Sequence, residues 1–164
     1  MEGKTAAVQM RNITKRFGTV VANDKVWLDI YRGEILALLG ENGSGKTTLM
    51  NMLSGIYYPD EGQIFVDGRE VSIRSPKDAF DLGIGMIHQH FKLVDVLTAA
   101  ENIVLGLPGK GRLDLNRATE KIKAICDAYG FEVDPKKKIY DMSVSEKQTV
   151  EIVRLLLGHG HVVD

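Results

Sequence analysis

The sequence has little cysteine, almost no net charge and no long apolar run. Its 164 residues include a single cysteine, Cys126, so no disulfide can form within the chain, which is typical of a reducing cytosol. The formal net charge is −1 and no block of five or six like charges occurs, since the longest basic run is Lys136-Lys137-Lys138, so nothing indicates nucleic acid as a partner. No segment approaches the roughly 20 apolar residues that span a bilayer, and residues 1–12 lack the apolar stretch of a signal peptide. If the protein acts at a membrane, another subunit is expected to supply the spanning helices.

What is present predicts alternating strands and helices with enough apolar residues to bury a core. Period-two alternation and turn residues predict strands at residues 8–16, one or two strands within 20–31, and a strand at 63–66 before the Asp67-Gly68 hairpin turn. Short apolar runs predict buried strands at 34–39 and 84–88. Helices are predicted over residues 46–54, from Pro76 to about 82, from Thr98 onward, from Asn116 to Gly130, and over 145–157, with Thr98, Asn116 and Ser145 as N-caps and Glu101 completing a capping box.

Residues 40–47 form the strongest motif, Gly-x-x-x-x-Gly-Lys-Thr, placed between a predicted strand and a predicted helix. Glycines let the backbone turn with positive φ, so that successive amides can face an anion. The helix that follows adds the positive end of its dipole. A lysine there reaches the β- and γ-phosphates, and a threonine hydroxyl is a ligand for Mg²⁺. The motif therefore predicts a nucleotide site made by Gly40, Glu41, Asn42, Gly43, Ser44, Gly45, Lys46, Thr47 and Thr48.

Three further segments and this loop together resemble the ATP-binding subunits of ABC transporters, and the resemblance runs from about Val8 to the last residue. In residues 12–20, Phe17 stands where the family has an aromatic residue that stacks on adenine. In residues 85–91, Gln89 stands where the family has a glutamine that binds Mg²⁺ or orients the attacking water. The resemblance thus implies ATP and Mg²⁺ as cofactors, Lys46 and Gln89 as catalytic residues, and Thr47 and Gln89 as metal ligands.

Residues 142–148, Met-Ser-Val-Ser-Glu-Lys-Gln, resemble the family signature Leu-Ser-Gly-Gly-Gln. In the family this segment caps the γ-phosphate held by the phosphate loop of a second ATP-binding domain, which implies a dimer with Ser143 and Ser145 at the nucleotide. The chain departs from the pattern at Ser145, where a glycine is usual. Its Cβ is expected to weaken that contact across the dimer. The simpler interpretation is a capped surface helix with Val150 and Val153 on its apolar face.

Several phrases resemble importers of nucleosides, which are themselves similar to sugar importers; these phrases include residues 37–43, 60–68, 75–79 and 88–94. The resemblance implies a peripheral subunit on the cytoplasmic face of the cell membrane. Its partners would be ABC permease transmembrane subunits, which the loop at 91–97 would touch, a second ATP-binding domain and, indirectly, a substrate-binding lipoprotein. A nucleoside is favoured over a simple sugar as cargo.

The expected fold is α/β, a P-loop NTPase core with an antiparallel β subdomain and a helical subdomain, incomplete at the C-terminus. The expected boundaries are 1–97 for the core with its N-terminal strands, 98–157 for the helical subdomain, and 158–164 for a truncated return to the core. The family's Asp-Glu pair, which binds the metal and activates water, would follow a short apolar strand. Its aspartate is expected near position 166, although Asp164 remains a candidate for it. These 164 residues are therefore expected to bind ATP but to hydrolyse it very slowly.

Three other functions remain open at this stage. A soluble ABC ATPase acting in translation or DNA repair would keep every motif but lack a permease partner. A small P-loop kinase would need an arginine-rich lid, whereas residues after Thr98 offer few arginines, among them Arg112 and Arg117. A degenerate module that binds nucleotide without hydrolysing it would fit the loop and the missing base.

Overall fold

The computed structural model describes residues 6–88, 90–105 and 114–158. The chain divides into two compact units between Gly85 and Met86. We call these the first unit and the second unit and describe each by itself. Among the described residues, no helix combines the length and the apolar character that crossing a bilayer requires.

The first unit contains an antiparallel sheet of four strands in the order β2-β1-β3-β4, where β1 is Ala6–Phe17, β2 is Val20–Tyr31, β3 is Glu61–Val66 and β4 is Arg69–Val71. This confirms the predicted N-terminal strands and shows that 20–31 is one strand rather than two. The predicted hairpin turn is also confirmed, because Asp67 and Gly68 both have positive φ, 50° and 76°. Two consecutive left-handed residues match the twist of the flanking strands.

One face of this sheet packs against α1, Lys46–Leu53, and α2, Pro76–Asp81. The core contains Met10 and Ile13 from β1, Ile64 from β3 and Met52 from α1, all nearly or fully buried. The alternation predicted in β2 is confirmed, since Val26, Leu28 and Ile30 pack on this core. Burying aliphatic side chains of this size stabilises a fold by about 1.5–3 kcal/mol each. The core thus fixes α1, and with it the loop that precedes α1.

The second unit is helical, with α3 at Ala99–Val104, α4 at Leu115–Tyr129 and α5 at Val144–Gly158. Its core joins the three helices through Ile103, Ile122 and Val150, which are fully buried. The predicted capping box is confirmed: the Thr98 hydroxyl accepts from the Glu101 N–H at 3.2 Å, and the Thr98 N–H donates to the Glu101 carboxylate at 2.7 Å.

The sequence predicts Asn116 as the N-cap of α4, and this prediction is wrong. Asp114 takes that position, and its carboxylate accepts from the N–H groups of Asn116 and Arg117 at 3.0 and 3.1 Å. A carboxylate at an N-terminus satisfies free amides and also interacts favourably with the helix dipole. The C-terminus agrees with the prediction, because Gly130 ends the helix with φ of 70°.

The two buried strands predicted at 34–39 and 84–88 do not form, and both predictions are wrong for this structure. Residues 34–39 are not part of a hydrogen-bonded strand, and Ile35 and Leu39 are 99% and 91% exposed. Residues 84–88 are likewise irregular and only partly buried. A buried strand needs a hydrogen-bonded neighbour, and within the described residues every strand of the sheet pairs elsewhere. Apolar composition alone therefore does not make these segments strands.

Candidate functional site

The phosphate loop adopts a backbone that requires glycine at two positions. Gly43 and Gly45 have φ of 86° and 85°, in the left-handed region that residues with a Cβ adopt at a cost. The turn at residues 42–43 leads through Ser44 and Gly45 directly into α1. Gly45 is the N-cap residue of α1. The predicted loop-to-helix junction is therefore present, although the segment before it is not a strand.

The N-terminus of α1 is free to receive an anion. Among the described residues, no side chain caps α1 and no acidic residue lies in its first turn. Thr47 is exposed and Thr48 half-buried in this turn. The first amides of a helix have no partner within it, and they carry the positive end of its dipole. An uncapped terminus that carries two hydroxyls and a lysine suits a phosphate group.

Lys46 lies over the loop and binds the loop's own oxygen atoms. Its Nζ donates to the carbonyl oxygens of Gly40 at 2.6 Å and Glu41 at 2.7 Å, and to the Ser44 hydroxyl at 3.1 Å. An ammonium group has three donor hydrogens, so these contacts use all of them. When a phosphate enters, Lys46 must exchange some of these contacts for phosphate oxygens. The loop oxygens left behind lie at an exposed position where water can replace the ammonium.

Gly45 packs directly against β2. A Cβ built on Gly45 would lie 2.2 Å from the Ala22 carbonyl oxygen and 2.8 Å from the Asn23 Nδ2. The Asn23 amide also donates to the Gly45 carbonyl at 3.3 Å. Asn23 was not found from the sequence, because an isolated asparagine in a strand pattern gives no signal of its contact with a loop 22 residues away.

Phe17 ends β1 and is 42% exposed, and the Lys15 ammonium lies over its ring, 5.5 Å from the ring centroid. The Tyr57 ring meets it edge-on with ring centroids 5.1 Å apart. The Asp60 carboxylate fixes the end of β1 by accepting from the Arg16 N–H at 2.6 Å and the Lys15 ammonium at 3.0 Å. These two contacts, the Arg16 N–H first, hold the pKa of Asp60 below its usual range. Tyr57 was missed in the sequence because the turn around Pro59 carries two adjacent tyrosines, Tyr57 and Tyr58, without periodicity.

The signature segment begins α5, and Ser143 rather than Ser145 provides its cap. The Ser143 hydroxyl accepts from the Glu146 N–H at 3.3 Å, and the Ser143 N–H donates to the Glu146 carboxylate at 2.7 Å. This is a reciprocal capping box, which leaves the hydroxyl hydrogen of Ser143 able to donate to a ligand. Ser145 lies exposed in the first turn. The prediction of Ser145 as N-cap was wrong. Glu146 lies three residues after Ser143, and the capping box that these two residues form makes Ser143 the N-cap.

The Glu146 carboxylate should make α5 sensitive to acid. The Lys137 ammonium at 2.7 Å, and then the Ser143 N–H, lower the pKa of Glu146 from 4.5 to about 2. A group with a lower pKa in the folded state stabilises fully above its unfolded pKa, and that stability is lost as the pH falls between the two values. We expect Glu146→Gln to lower the urea midpoint at pH 6, and we expect this effect to shrink as the pH falls from 4.5 toward 2.

The measurement is urea unfolding of native chain and variant at several pH values, followed by circular dichroism. Glu120→Gln, at an exposed position of α4, serves as the control and should leave the pH profile of the native chain unchanged. A constant difference between native chain and Glu146→Gln from pH 6 to pH 3 would contradict the expectation.

Gln89 lies outside the described residues, so its predicted metal and catalytic roles stay predictions. The loop that follows is held within the second unit by two buried side chains. The Lys92 N–H donates to the Glu151 carboxylate at 2.8 Å. Asn102 accepts from the Val94 N–H at 2.7 Å and donates to the Val94 carbonyl at 3.0 Å. Glu151 and Asn102 were missed because side chains inside a helix pattern give no sign of a contact with a distant loop.

Comparison with known proteins places these motifs in one family. The family model for ABC transporter matches residues 23–163. The guanosine import ATP-binding protein NupO of Bacillus subtilis is 52% identical over 151 residues, and the nucleoside import ATP-binding protein NupA of Lactococcus lactis is 54% identical over 151 residues. Each match covers 91% of this chain and 30% of the relative. The ribose import ATP-binding protein RbsA of Caldanaerobacter subterraneus is 43% identical, with 95% of this chain and 32% of the relative covered.

A solved structure gives the same result for the fold. A nucleotide-free ATP-binding cassette from an ABC transporter superposes with a TM-score of 0.79 at 26% identity, covering 93% of this chain and 65% of that one. The predicted α/β fold of the P-loop NTPase type is confirmed. The chain spans about a third or less of the length of the curated relatives it matches.

Proposed function

Because this chain belongs to the ABC transporter family and carries that family's nucleotide-binding fold, we propose that its phosphate loop binds ATP together with Mg²⁺. The observation that carries the proposal is the uncapped, acid-free start of α1 beneath Lys46. The amides from Gly43 onward would face the β- and γ-phosphates, and Lys46 would supply the mobile positive charge.

The remaining loop residues have distinct roles in this proposal. Gly40, Glu41, Asn42 and Ser44 would shape the cradle, since the first two already supply carbonyls to Lys46 and Ser44 supplies its hydroxyl. Thr47 would be the protein ligand of Mg²⁺, and Thr48, one position on, would bind a phosphate nearer the sugar. When bound, Mg²⁺ neutralises the phosphate charges and links them to the protein.

Calorimetric titration of the 164-residue chain with ATP tests this proposal directly. We expect saturable binding in the presence of Mg²⁺ and weaker binding after EDTA is added, because the Thr47 ligand then has no ion to share with the phosphates. Absence of heat at millimolar ATP, in a chain shown to be folded by circular dichroism, would overturn the proposal. The expectation that these residues hydrolyse ATP very slowly stays a prediction, and phosphate release near 1 s⁻¹, an ordinary enzyme rate, would refute it.

Phe17 should provide the preference for adenine. Stacking of a base on an aromatic ring contributes about 1–3 kcal/mol, so Phe17→Leu should weaken ATP binding about fivefold or more. Inorganic tripolyphosphate has no base and should bind the native chain and the variant equally. The ratio of the two affinities, measured by calorimetry, isolates the stacking contribution.

Tyr140→Leu is the control for Phe17→Leu, because Tyr140 is an exposed aromatic of the second unit. It should leave both affinities unchanged. If Phe17→Leu weakens tripolyphosphate binding as much as ATP binding, the ring acts on the loop rather than on the base, and adenine stacking is refuted.

We further propose that the complete protein is the ATP-binding subunit of an importer on the cytoplasmic face of the cell membrane. The names of NupO and NupA favour a nucleoside as cargo, with a sugar as the alternative that RbsA represents. In a dimer with a second ATP-binding domain, Ser143 would donate its free hydroxyl hydrogen to the partner's γ-phosphate, and Ser145 would crowd that contact. Exposed Val94 and Val96, on the loop held by Glu151 and Asn102, would touch the permease subunits.

Uptake measurements in the source cells test the importer proposal. Lys46→Met in the chromosomal gene should reduce uptake of a labelled nucleoside and leave ribose uptake unchanged. Loss of ribose uptake alone would assign the cargo to the alternative class. Normal uptake of both compounds would favour a soluble ABC ATPase or a degenerate nucleotide-binding module instead.

A further inference from the structure

Asn23 on β2 is a buried amide whose hydrogen bonding is only half satisfied. It is 6% exposed. Its Nδ2 donates to the Gly45 carbonyl at 3.3 Å, whereas its Oδ1 is buried and accepts no hydrogen bond among the described residues. A buried acceptor without a partner destabilises a fold, because the water that it loses is not replaced. An apolar side chain of similar size would fill the same space without this cost.

The Gly45 carbonyl does not need Asn23 as a partner. It already accepts from the Leu49 N–H at 2.9 Å, the first hydrogen bond of α1. The Asn23 contact is therefore a second bond to a satisfied oxygen. Its contribution to stability is small, so the reason for an amide here lies elsewhere.

The peptide bond between Gly45 and Lys46 provides that reason. The Gly45 carbonyl and the Lys46 N–H belong to one planar unit, so a contact that fixes the carbonyl also fixes the direction of the N–H. The Lys46 N–H is the first amide of α1, and an amide at this position has no partner within the helix and is available to the proposed phosphate. On the other side, the Ala22 carbonyl lies where a Gly45 side chain would be and limits movement toward β2.

We propose that Asn23 is a positioning residue for phosphate binding, which holds the Gly45–Lys46 peptide in the orientation that an anion requires. The proposal rests on the proposed function of the loop. Asn23 touches no nucleotide atom itself. It acts through the backbone. The unpartnered oxygen lowers the stability of the fold, while the amide nitrogen of the same side chain preorganises the phosphate site.

The test compares Asn23→Leu with the native 164-residue chain. Removing the amide should weaken ATP binding about three- to tenfold, as expected for the loss of one hydrogen bond. The urea midpoint should stay the same or rise, because the variant no longer buries an unpartnered oxygen. The ¹⁵N order parameter of the Lys46 amide, measured by NMR without nucleotide, should fall, because the peptide is then held less firmly. Asn23→Val, a β-branched residue suited to a strand, repeats the test if leucine lowers the midpoint.

Asn102→Leu is the matched control. Asn102 is also a buried asparagine, but its amide makes three hydrogen bonds within the second unit. Its replacement should lower the urea midpoint and leave ATP affinity unchanged. The two variants are thus expected to give opposite results. Asn23→Leu lowers the ATP affinity and not the urea midpoint, whereas Asn102→Leu lowers the urea midpoint and not the ATP affinity. This difference separates positioning of the loop from general stability.

Unchanged ATP affinity in both Asn23 variants would overturn the proposal, as would a loss of affinity that only parallels a lower midpoint. If the native chain binds no ATP, the proposed function fails. The order parameter of the Lys46 amide then still decides whether Asn23 orders the peptide, and an equal value in native chain and variants would refute it.

Discussion

Gly45→Ala is expected to destabilise the first unit by about 3 kcal/mol and to remove detectable ATP binding. Two effects add at this position. The left-handed φ of 85° is costly for any residue with a Cβ, and the new methyl group would lie 2.2 Å from the Ala22 carbonyl oxygen. Backbone atoms cannot move aside as a flexible side chain can, so β2 and the start of α1 must separate. That separation also displaces the Lys46 N–H from the proposed phosphate.

Gly43→Ala is the matched control because it shares the strain without the overlap. Gly43 has a φ of 86°, and a Cβ there would meet no atom within 4 Å. We expect a loss of about 1 kcal/mol, the cost of the left-handed conformation alone. Urea unfolding followed by fluorescence of Trp27, the single tryptophan, measures both variants in the first unit. Equal destabilisation by the two substitutions would contradict the argument from contact with β2.

The antiparallel sheet and the phosphate loop could be predicted because their signals are local. Alternation at 26–30 and the Asp67-Gly68 turn each specify a conformation within a few residues. The two apolar runs at 34–39 and 84–88 failed for the opposite reason. Their composition indicates a strand, but strand geometry depends on a neighbour, and the described residues supply none. Local sequence preference decides whether a hairpin turn forms, whereas hydrogen bonding to a neighbouring strand decides whether an interior strand forms.

The helix caps show the same limit of prediction from local sequence signals. The Thr98 and Glu101 spacing was decisive, and the capping box is present. At α5 the sequence offers two serines, and only the reciprocal bond between Ser143 and Glu146 distinguishes them. Within the candidate site, the motif gave the loop, whereas Asn23 and Tyr57 became visible only through contacts made in three dimensions. Such supporting residues carry no motif, because their role depends on position and not on chemistry alone.

Lys46→Met is expected to weaken ATP binding about 100-fold while changing the free energy of unfolding by less than about 1 kcal/mol. The lysine supplies charge-assisted hydrogen bonds to phosphate, each worth about 1.5–3 kcal/mol, and methionine supplies none while keeping a similar length. In the folded chain, Lys46 binds the exposed carbonyls of Gly40 and Glu41, which water can solvate once the ammonium is gone. Affinity should therefore fall without a matching loss of stability, unlike the result expected for Gly45→Ala.

Lys77→Met controls for the loss of one positive charge from the first unit. Lys77 forms an exposed pair with Asp81 at 2.6 Å, and exposed pairs of this kind contribute little. Calorimetry should show native ATP affinity for this variant, and urea unfolding should show a near-native midpoint. If Lys77→Met weakens ATP binding as much as Lys46→Met does, the effect is one of overall charge. If only Lys46→Met does so, the affinity depends on the position of its ammonium group above the start of α1, where charge, dipole and free amides act on the same phosphate.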